Sequence, residues 1–122
     1  MADDKVMIIM TSGPDTPRRC ATPFFFASLA AAMEYDVTMF FTIDGTLLLK
    51  KGMAETVYPK AGGKPVSAFL QDAMDAGVTF LACTASTELH DLQPSDLIDG
   101  VKMVGGASMW QIAEDCKTVL TF

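Results

Sequence analysis

The chain has 122 residues, of which 50% are hydrophobic and 20% charged, and its formal net charge is −6. This length is typical of one domain with its own core, so residues 1–122 are interpreted as a single domain. The acidic balance argues against nucleic-acid binding, because phosphate backbones attract clustered Lys and Arg. Three cysteines without a CxxC spacing, and a single histidine, indicate neither a disulfide framework nor a zinc or other metal site.

A buried strand and a very apolar helix open the predicted fold. Lys5–Met10 is apolar after its first residue, which is typical of a strand covered on both faces, and the turn Thr11–Pro14 lacks the pattern of a phosphate loop. Thr22 and Pro23 predict an N-cap and the first position of a helix that runs to about Tyr35. This helix is apolar nearly all round, so we expect part of it to contact another subunit.

The same apolar segment raises the question of a membrane span. Its longest uncharged stretch, Cys20–Met33, is shorter than the roughly 20 apolar residues that a spanning helix needs. Ala2–Lys5 leads directly into the first strand, without the basic and apolar regions of a signal peptide. We therefore expect a cytoplasmic protein with no membrane span.

Strands and helices alternate along the rest of the chain. Val37–Thr42 is the second predicted strand, Asp44 is expected to cap a short helix that ends before Gly52, and Met53–Lys64 is a predicted loop. The later elements are a helix over Val66–Ala76, a strand over Val78–Cys83, a helical segment broken at Pro94, a strand over Val101–Val104, a helix after Gly105–Gly106 and a strand over Thr118–Thr121. This alternation predicts an α/β fold with a flavodoxin-like, doubly wound, five-stranded parallel sheet in the order 2-1-3-4-5.

Cys83 is the main candidate for chemistry. In such sheets ligands bind beyond the carboxyl ends of the strands, and Cys83 is the last residue of the third predicted strand. Thr84–Glu88 resembles the start of a helix, whose N–H groups and dipole favour the thiolate, the nucleophilic form. From position alone, a buried core cysteine is an equally good interpretation.

Four residues are accessory candidates at the same edge of the sheet, together with Thr84, which directly follows Cys83. They are Ser12, Arg18, Arg19 and Cys20. The arginine pair is expected to lower the pKa of the Cys20 thiol or to hold an anionic sulfur group, although an incidental thiol near a helix N-terminus is the simpler interpretation.

Two other chemistry-bearing residues are interpreted as structural or distant. Cys116 falls on the apolar stripe of the last predicted helix with Met109, Ile112 and Ala113. His90 follows Cys83 by seven residues, about 10 Å along a helix, which is too far for a direct Cys–His pair. The nine methionines and Trp110 are interpreted as core and interface packing.

Four segments give the chain a family resemblance when they are taken in order. They are Thr38–Gly52, Phe80–Cys83, Asp96–Val101 and Gly105–Ala107. Together they resemble the DsrE/DsrF/TusD-like sulfur-transfer superfamily, in particular its DsrE-type, "peroxiredoxin-like" branch, and the likeness covers nearly the whole chain.

The resemblance implies a flavodoxin-like fold, assembly into oligomers and a role in intracellular sulfur trafficking. It places the sulfur-carrying cysteine at Cys83, which would hold a persulfide or thiosulfonate, exchange sulfur with donor and acceptor proteins, and use no cofactor. Thr84–Gly100 contains no second cysteine, so an internal disulfide cycle is not implied. We expect a homo-oligomer, trimeric or larger, that is either a sulfurtransferase or a sulfur carrier. The alternative is a non-catalytic oligomeric module that binds a small ligand or partner protein at the same edge.

Overall fold

A computed structural model describes residues 4–122, and the residues before Asp4 lie outside the described part of the chain. Its strands are β1 (Lys5–Met10), β2 (Asp36–Phe41), β3 (Thr79–Cys83), β4 (Val101–Val104) and β5 (Cys116–Thr121). They form one sheet in the order β4-β3-β2-β1-β5, and every neighbouring pair is parallel. The predicted five-stranded parallel sheet is confirmed.

The strand order 2-1-3-4-5 was wrong, since β1 lies between β2 and β5 and the order reverses there. Cys83 ends β3, between β2 and β4, and is therefore not beside the reversal point. The physical reason for the observed order is that only some of the strands are suited to the edge of a sheet, where one side has no partner strand. The edge strands β4 and β5 carry Lys102 and Lys117 in their interiors, whereas β2 ends in the fully apolar, buried run Met39–Phe41. Lysines suit sheet edges, and an apolar strand needs neighbours on both sides.

Four α-helices connect these strands: α1 (Thr22–Ala32), α2 (Val66–Asp75), α3 (Thr84–Leu89) and α4 (Gly106–Glu114). Short 3₁₀ segments lie at Pro17–Arg19, Ile43–Leu49, Ala54–Thr56 and Pro94–Asp96. Two predicted caps were wrong. Thr22 is the first residue of α1, with Ala21 at the N-cap, and the N-cap of the 43–49 segment is Thr42 rather than Asp44.

Helices cover both faces of the sheet, which confirms the doubly wound arrangement. On one face α1 and α2 enclose the larger core, in which the rings of Phe24, Phe41 and Phe80 lie 5.3–6.1 Å apart. On the other face Met7, Phe40 and Leu81 pack against α4. Because β1, β2 and β3 are buried from both sides, they are apolar almost without alternation.

Two packing predictions near the end of the chain need correction. Cys116 is the first residue of β5 and does not lie on α4. Trp110 is 67% exposed, so it does not pack in the core, and its packing in a subunit interface stays a prediction. Within residues 4–122 no helix combines the length and the apolar character that crossing a membrane requires.

Candidate functional site

Cys83 lies at the carboxyl end of the sheet, where β3 passes directly into α3. It is both the last residue of β3 and the N-cap of α3, as the sequence predicted. Its side chain is partly exposed, and the neighbouring Thr84 hydroxyl donates to the Val104 carbonyl at 3.0 Å. That bond fastens the first turn of α3 to the end of β4 and fixes the direction in which the chain leaves Cys83.

Two hydroxyl groups lie beside this thiol. The Ser86 Oγ is 2.9 Å from the Thr42 Oγ1 and accepts a hydrogen bond of 2.7 Å from the Ile43 backbone N–H. Thr42 directly follows β2, so the pair joins the ends of two neighbouring strands. Ser86 is buried and Thr42 is half-buried, so the pair is partly shielded from bulk water.

The surroundings of Cys83 favour its thiolate. Burial raises the pKa of the thiol, but hydrogen bonding from the Ser86 N–H, the Ser86 and Thr42 hydroxyls and the Ala85 N–H outweighs burial, so the pKa of Cys83 lies below its ordinary value. The neutral thiol itself makes no capping hydrogen bond, so these donors act on the anion. The lowered pKa comes from hydrogen-bond donors and not from positive charge.

The strained loop after β2 holds Thr42 in place. Ile43 has a φ of 54°, which a β-branched residue rarely adopts. A Cβ at Gly45 would overlap the Met10 carbonyl oxygen, and one at Gly13 would overlap the Asp44 carbonyl oxygen. The loops that follow β1 and β2 are therefore pressed together at the backbone level.

Asp44 and His90 form a contact that the sequence did not reveal. The His90 Nε2 is buried and lies 3.1 Å from the Asp44 Oδ1, within ion-pair distance but without the angle of a hydrogen bond. His90 is the C-cap of α3, so this contact joins the far end of α3 to the loop after β2. Asp44 thus contacts α3 instead of capping its own helix.

A second group of candidate residues lies in the segment after β1, and Cys20 is the buried thiol of this group. Its Sγ donates to the Gly13 and Thr16 carbonyls at 3.2 and 3.4 Å, and it is fully buried. Burial raises the pKa of Cys20 to about 11. The expectation that the adjacent arginines lower this pKa was therefore wrong.

Of the other accessory candidates, Ser12, Arg18 and Arg19 lie with Cys20 in the segment after β1, and Thr84 lies beside Cys83. The Arg19 Nε donates to the Ser12 Oγ at 3.4 Å, and Arg18 is exposed in the same loop. Thr84 is adjacent to Cys83, but its hydroxyl is turned to β4. The Gly13–Asp44 backbone contact connects the loops of the two groups.

Cys116 is partly buried against the α4 side of the sheet, and its Sγ donates to the Ile112 carbonyl at 3.2 Å. Burial is the main cause that raises its pKa. Across residues 4–122, no three His, Cys, Asp or Glu side chains converge in a way that would hold a metal ion.

The residues that sequence reasoning missed are Thr42 and Ser86. Each carries a weak signal, because Thr42 comes directly after a strand and Ser86 is three residues after the N-cap, on the same side of the helix. Neither signal shows that the two hydroxyls meet. That meeting depends on β2 and β3 being neighbours, which the predicted strand order did not contain.

Solved structures of other proteins have the same fold. The YchN protein from E. coli superposes with a TM-score of 0.82 at 20% identity, covering 98% of this chain and 99% of that one. The protein of unknown function MTH1491 from Methanobacterium thermoautotrophicum gives 0.66 at 16% identity, covering 97% and 98%. At these identities the likeness establishes the fold alone.

Sequence comparison identifies a relative and a family. The uncharacterized protein MJ0760 of Methanocaldococcus jannaschii is 27% identical over 106 residues, which are 84% of this chain. The match spans only 37% of that longer protein. The model of the DsrE/DsrF-like family matches residues 4–122, which is almost the entire chain. The chain therefore belongs to the DsrE/DsrF-like family.

Proposed function

We propose that the protein is an intracellular sulfur carrier or sulfurtransferase that holds sulfane sulfur on Cys83, as a persulfide or thiosulfonate, and passes it to a protein partner. The observation that carries the proposal is the environment of Cys83. It is a partly exposed thiol at the carboxyl edge of the sheet, and hydrogen-bond donors lower its pKa. Membership of a family generally associated with sulfur relay supports the same function.

The chemistry is a nucleophilic displacement at sulfur. The Cys83 thiolate attacks the outer sulfur of a donor R–S–SH, the donor S–S bond breaks, and R–S⁻ leaves with the bonding electron pair. The product is Cys83–S–SH. In the second half, an acceptor thiolate R′–S⁻ attacks the outer sulfur, R′–S–SH forms, and Cys83 leaves as a thiolate. No external oxidant or reductant is needed, and both halves depend on a stable Cys83 thiolate.

Mass spectrometry after incubation with polysulfide, thiosulfate or tetrathionate tests the proposal. We expect adducts of one or more sulfur atoms on Cys83, lost on treatment with a reductant and absent from Cys83→Ser. Cys116→Ser is the matched control, since it removes a partly buried thiol whose pKa is raised, and it should load sulfur normally.

An unmodified Cys83 after exposure to all three donors would overturn the carrier function. The alternative would then be the better one: a non-catalytic module that binds a small ligand or partner protein at this edge, with Cys83 only lining the site. The Cys20→Ser variant separates the thiols further. It should load Cys83 as the wild type does, because Cys20 is fully buried.

We also propose that the protein is a homo-oligomer, trimeric or larger. Four apolar side chains of α1 or its C-cap are 41–63% exposed: Phe25, Phe26, Leu29 and Met33. A shallow apolar groove continues from Phe26 to Thr118 and Leu120 on β5. Large contiguous apolar patches are unusual on monomers, and a second copy of the chain would remove this one from water.

A further inference from the structure

The hydroxyls of Thr42 and Ser86 form a hydrogen-bonded pair that takes no part in the two displacement steps. Their oxygens are 2.9 Å apart, and either atom can be the donor. Ser86 is three residues after Cys83, the N-cap of α3, and side chains at that spacing lie on the same side of a helix. The pair therefore joins the end of β2 to the first turn of α3, the helix that Cys83 caps.

The number of hydroxyl hydrogens determines how many hydrogen bonds this pair can donate. A serine hydroxyl has one hydrogen to donate and two acceptor positions. One acceptor position of the Ser86 Oγ is filled by the Ile43 N–H. If Thr42 donates to Ser86, the second position is filled and the Ser86 hydrogen is free for another acceptor. If Ser86 donates to Thr42, the Thr42 hydrogen is free instead. The pair therefore has one free hydroxyl hydrogen in either ordering.

The sulfur of Cys83 is the acceptor for this free hydrogen. A thiolate only accepts hydrogen bonds, and both hydroxyls act on Cys83, so an anionic sulfur favours arrangements in which the free hydrogen points to it. The Ile43 N–H cannot adapt, because its backbone is held at a φ of 54° between closely packed loops. The fixed N–H therefore leaves the two hydroxyl hydrogens as the adjustable part of the site.

We propose that Thr42 and Ser86 are positioning residues that form a two-hydroxyl relay on Cys83. When the sulfur becomes anionic, one hydroxyl of the pair donates its hydrogen to the sulfur while the other donates to the first. The relay stabilises Cys83 both as the attacking thiolate and as the leaving thiolate when sulfur is passed on. Its role in transfer rests on the proposed function, whereas its effect on the thiol does not.

Charged neighbours do not account for the behaviour of this thiol. The titratable groups on and directly after the elements that adjoin it are Asp36 and Asp44 for β2, Glu88 and His90 for α3, and Lys102 for β4. The groups that favour the Cys83 thiolate are all uncharged hydrogen-bond donors. Removing a hydroxyl should therefore move the titration of Cys83 directly, without a change in the charge of the site.

The test measures iodoacetamide alkylation against pH in a background that keeps Cys83 as the sole cysteine. Ser86→Ala should raise the pH midpoint by about one unit, so that alkylation at neutral pH becomes about tenfold slower. Thr42→Val should raise it in the same direction, and Thr42→Ser, which keeps the hydroxyl, should restore it. The double variant should shift less than the sum of the single shifts, because a relay couples the two groups.

Thr56→Val is the matched control, since its exposed hydroxyl donates to the Met53 carbonyl and its loss should leave the midpoint unchanged. Unchanged midpoints in Ser86→Ala and Thr42→Val, strictly additive shifts, or an equal shift in Thr56→Val would each overturn the relay. Polysulfide loading of the wild type is scored separately. If no sulfur is loaded but the midpoints shift as expected, the proposed function fails while the relay stands.

Discussion

Cys83 and Cys20 show how neighbouring groups decide the chemistry of a thiol. Cys83 is the last residue of β3, and Cys20 lies in the segment that follows β1. Cys83 is partly exposed and faces N–H and O–H donors, which lower its pKa. Cys20 is fully buried and faces two carbonyl oxygens, which accept its hydrogen and offer nothing to an anion. The first thiol is suited to nucleophilic attack, and the second is suited to the core.

The first prediction concerns the relative reactivity of the partly exposed thiols. A variant that keeps only Cys83 should be alkylated by iodoacetamide with a midpoint below the ordinary cysteine value of about 8.5. A variant that keeps only Cys116 should give a midpoint above that value, because burial raises its pKa. Rate against pH is the measurement, and equal midpoints would contradict the assignment of Cys83 as the activated thiol.

The second prediction uses the raised pKa of Cys20. The folded thiol stays neutral up to about pH 11, while the unfolded one ionises from about 9.0. The stability that it contributes is therefore present below about pH 9 and falls as the pH rises towards 11, by roughly 1 kcal/mol per pH unit. Cys20→Ser can still donate to Gly13 and Thr16 but does not ionise in this range.

Urea unfolding at a series of alkaline pH values checks this difference. The wild type should lose stability more steeply than Cys20→Ser above about pH 9, and Cys83→Ser serves as the reference for a thiol whose pKa is lowered. Parallel stability curves for wild type and Cys20→Ser would show that Cys20 does not stay neutral in the folded protein.

At this scale, the sequence predicted the location of Cys83 and the helix N–H groups that favour its thiolate, but not the two hydroxyls beside it. A cysteine between an apolar run and a helix start indicates the end of a strand, which local pattern can show. The hydroxyl pair depends on residues 44 positions apart, Thr42 and Ser86, whose meeting follows from strand neighbours. The arginines beside Cys20 suggested a low pKa because adjacency along the chain does not reveal that the thiol points into the core.

Among the elements, the loops after β1 and β2 form the most tightly packed region near the site. Gly45 contacts the Met10 carbonyl and Gly13 contacts the Asp44 carbonyl, both at distances that leave no room for a side chain. This contact fixes the loop that carries Thr42 and Ile43. A change in it should therefore affect the folding stability and the reactivity of Cys83 together.

The third prediction tests that coupling. Gly45→Ala places a methyl group on the Met10 backbone, which cannot move aside as a flexible side chain would, and should cost about 1–3 kcal/mol of stability. It should also raise the alkylation midpoint of Cys83 by displacing Thr42. Gly106→Ala is the control, because its Cβ meets nothing within 4 Å. Thermal unfolding and alkylation rate are the measurements, and equal behaviour of the two variants would argue against a packed loop.

Element boundaries were mostly predictable, whereas strand order was not. The period of apolar residues and the Gly and Pro positions gave β1 and β4 with their observed ends. Alternation of strands and helices is compatible with several orders, so the order 2-1-3-4-5 was a choice by analogy. Lys102 and Lys117 were the available signal, because they mark β4 and β5 as the edges.

At the scale of the whole molecule, residues 4–122 leave an apolar surface along α1 and β5 uncovered. The fourth prediction is that this surface forms a subunit interface. Phe25→Glu should dissociate the oligomer, because it buries an unpaired charge in the contact. Sedimentation velocity of wild type and variant measures the change in assembly.

Tyr58→Glu is the matched control, since it places the same charge on another exposed aromatic residue, 47% exposed, in the loop before α2. It should leave the sedimentation of the protein unchanged. A wild type that sediments at 13.1 kDa at micromolar concentration would contradict the proposed oligomer.

The pairing of β1 with β5 determines when the sheet can be completed during synthesis. The Phe122 N–H donates to the Ile9 carbonyl, and the Phe122 carbonyl accepts from Thr11, a separation of 111 residues. While the ribosome is still making the chain, β1 lacks its partner strand β5 on one side. The face of the sheet that carries Phe40 is also not yet covered by α4. Such distant pairing slows folding and keeps an apolar strand edge open to other nascent chains. Early chain segments of this protein should therefore depend on chaperones until β5 has emerged.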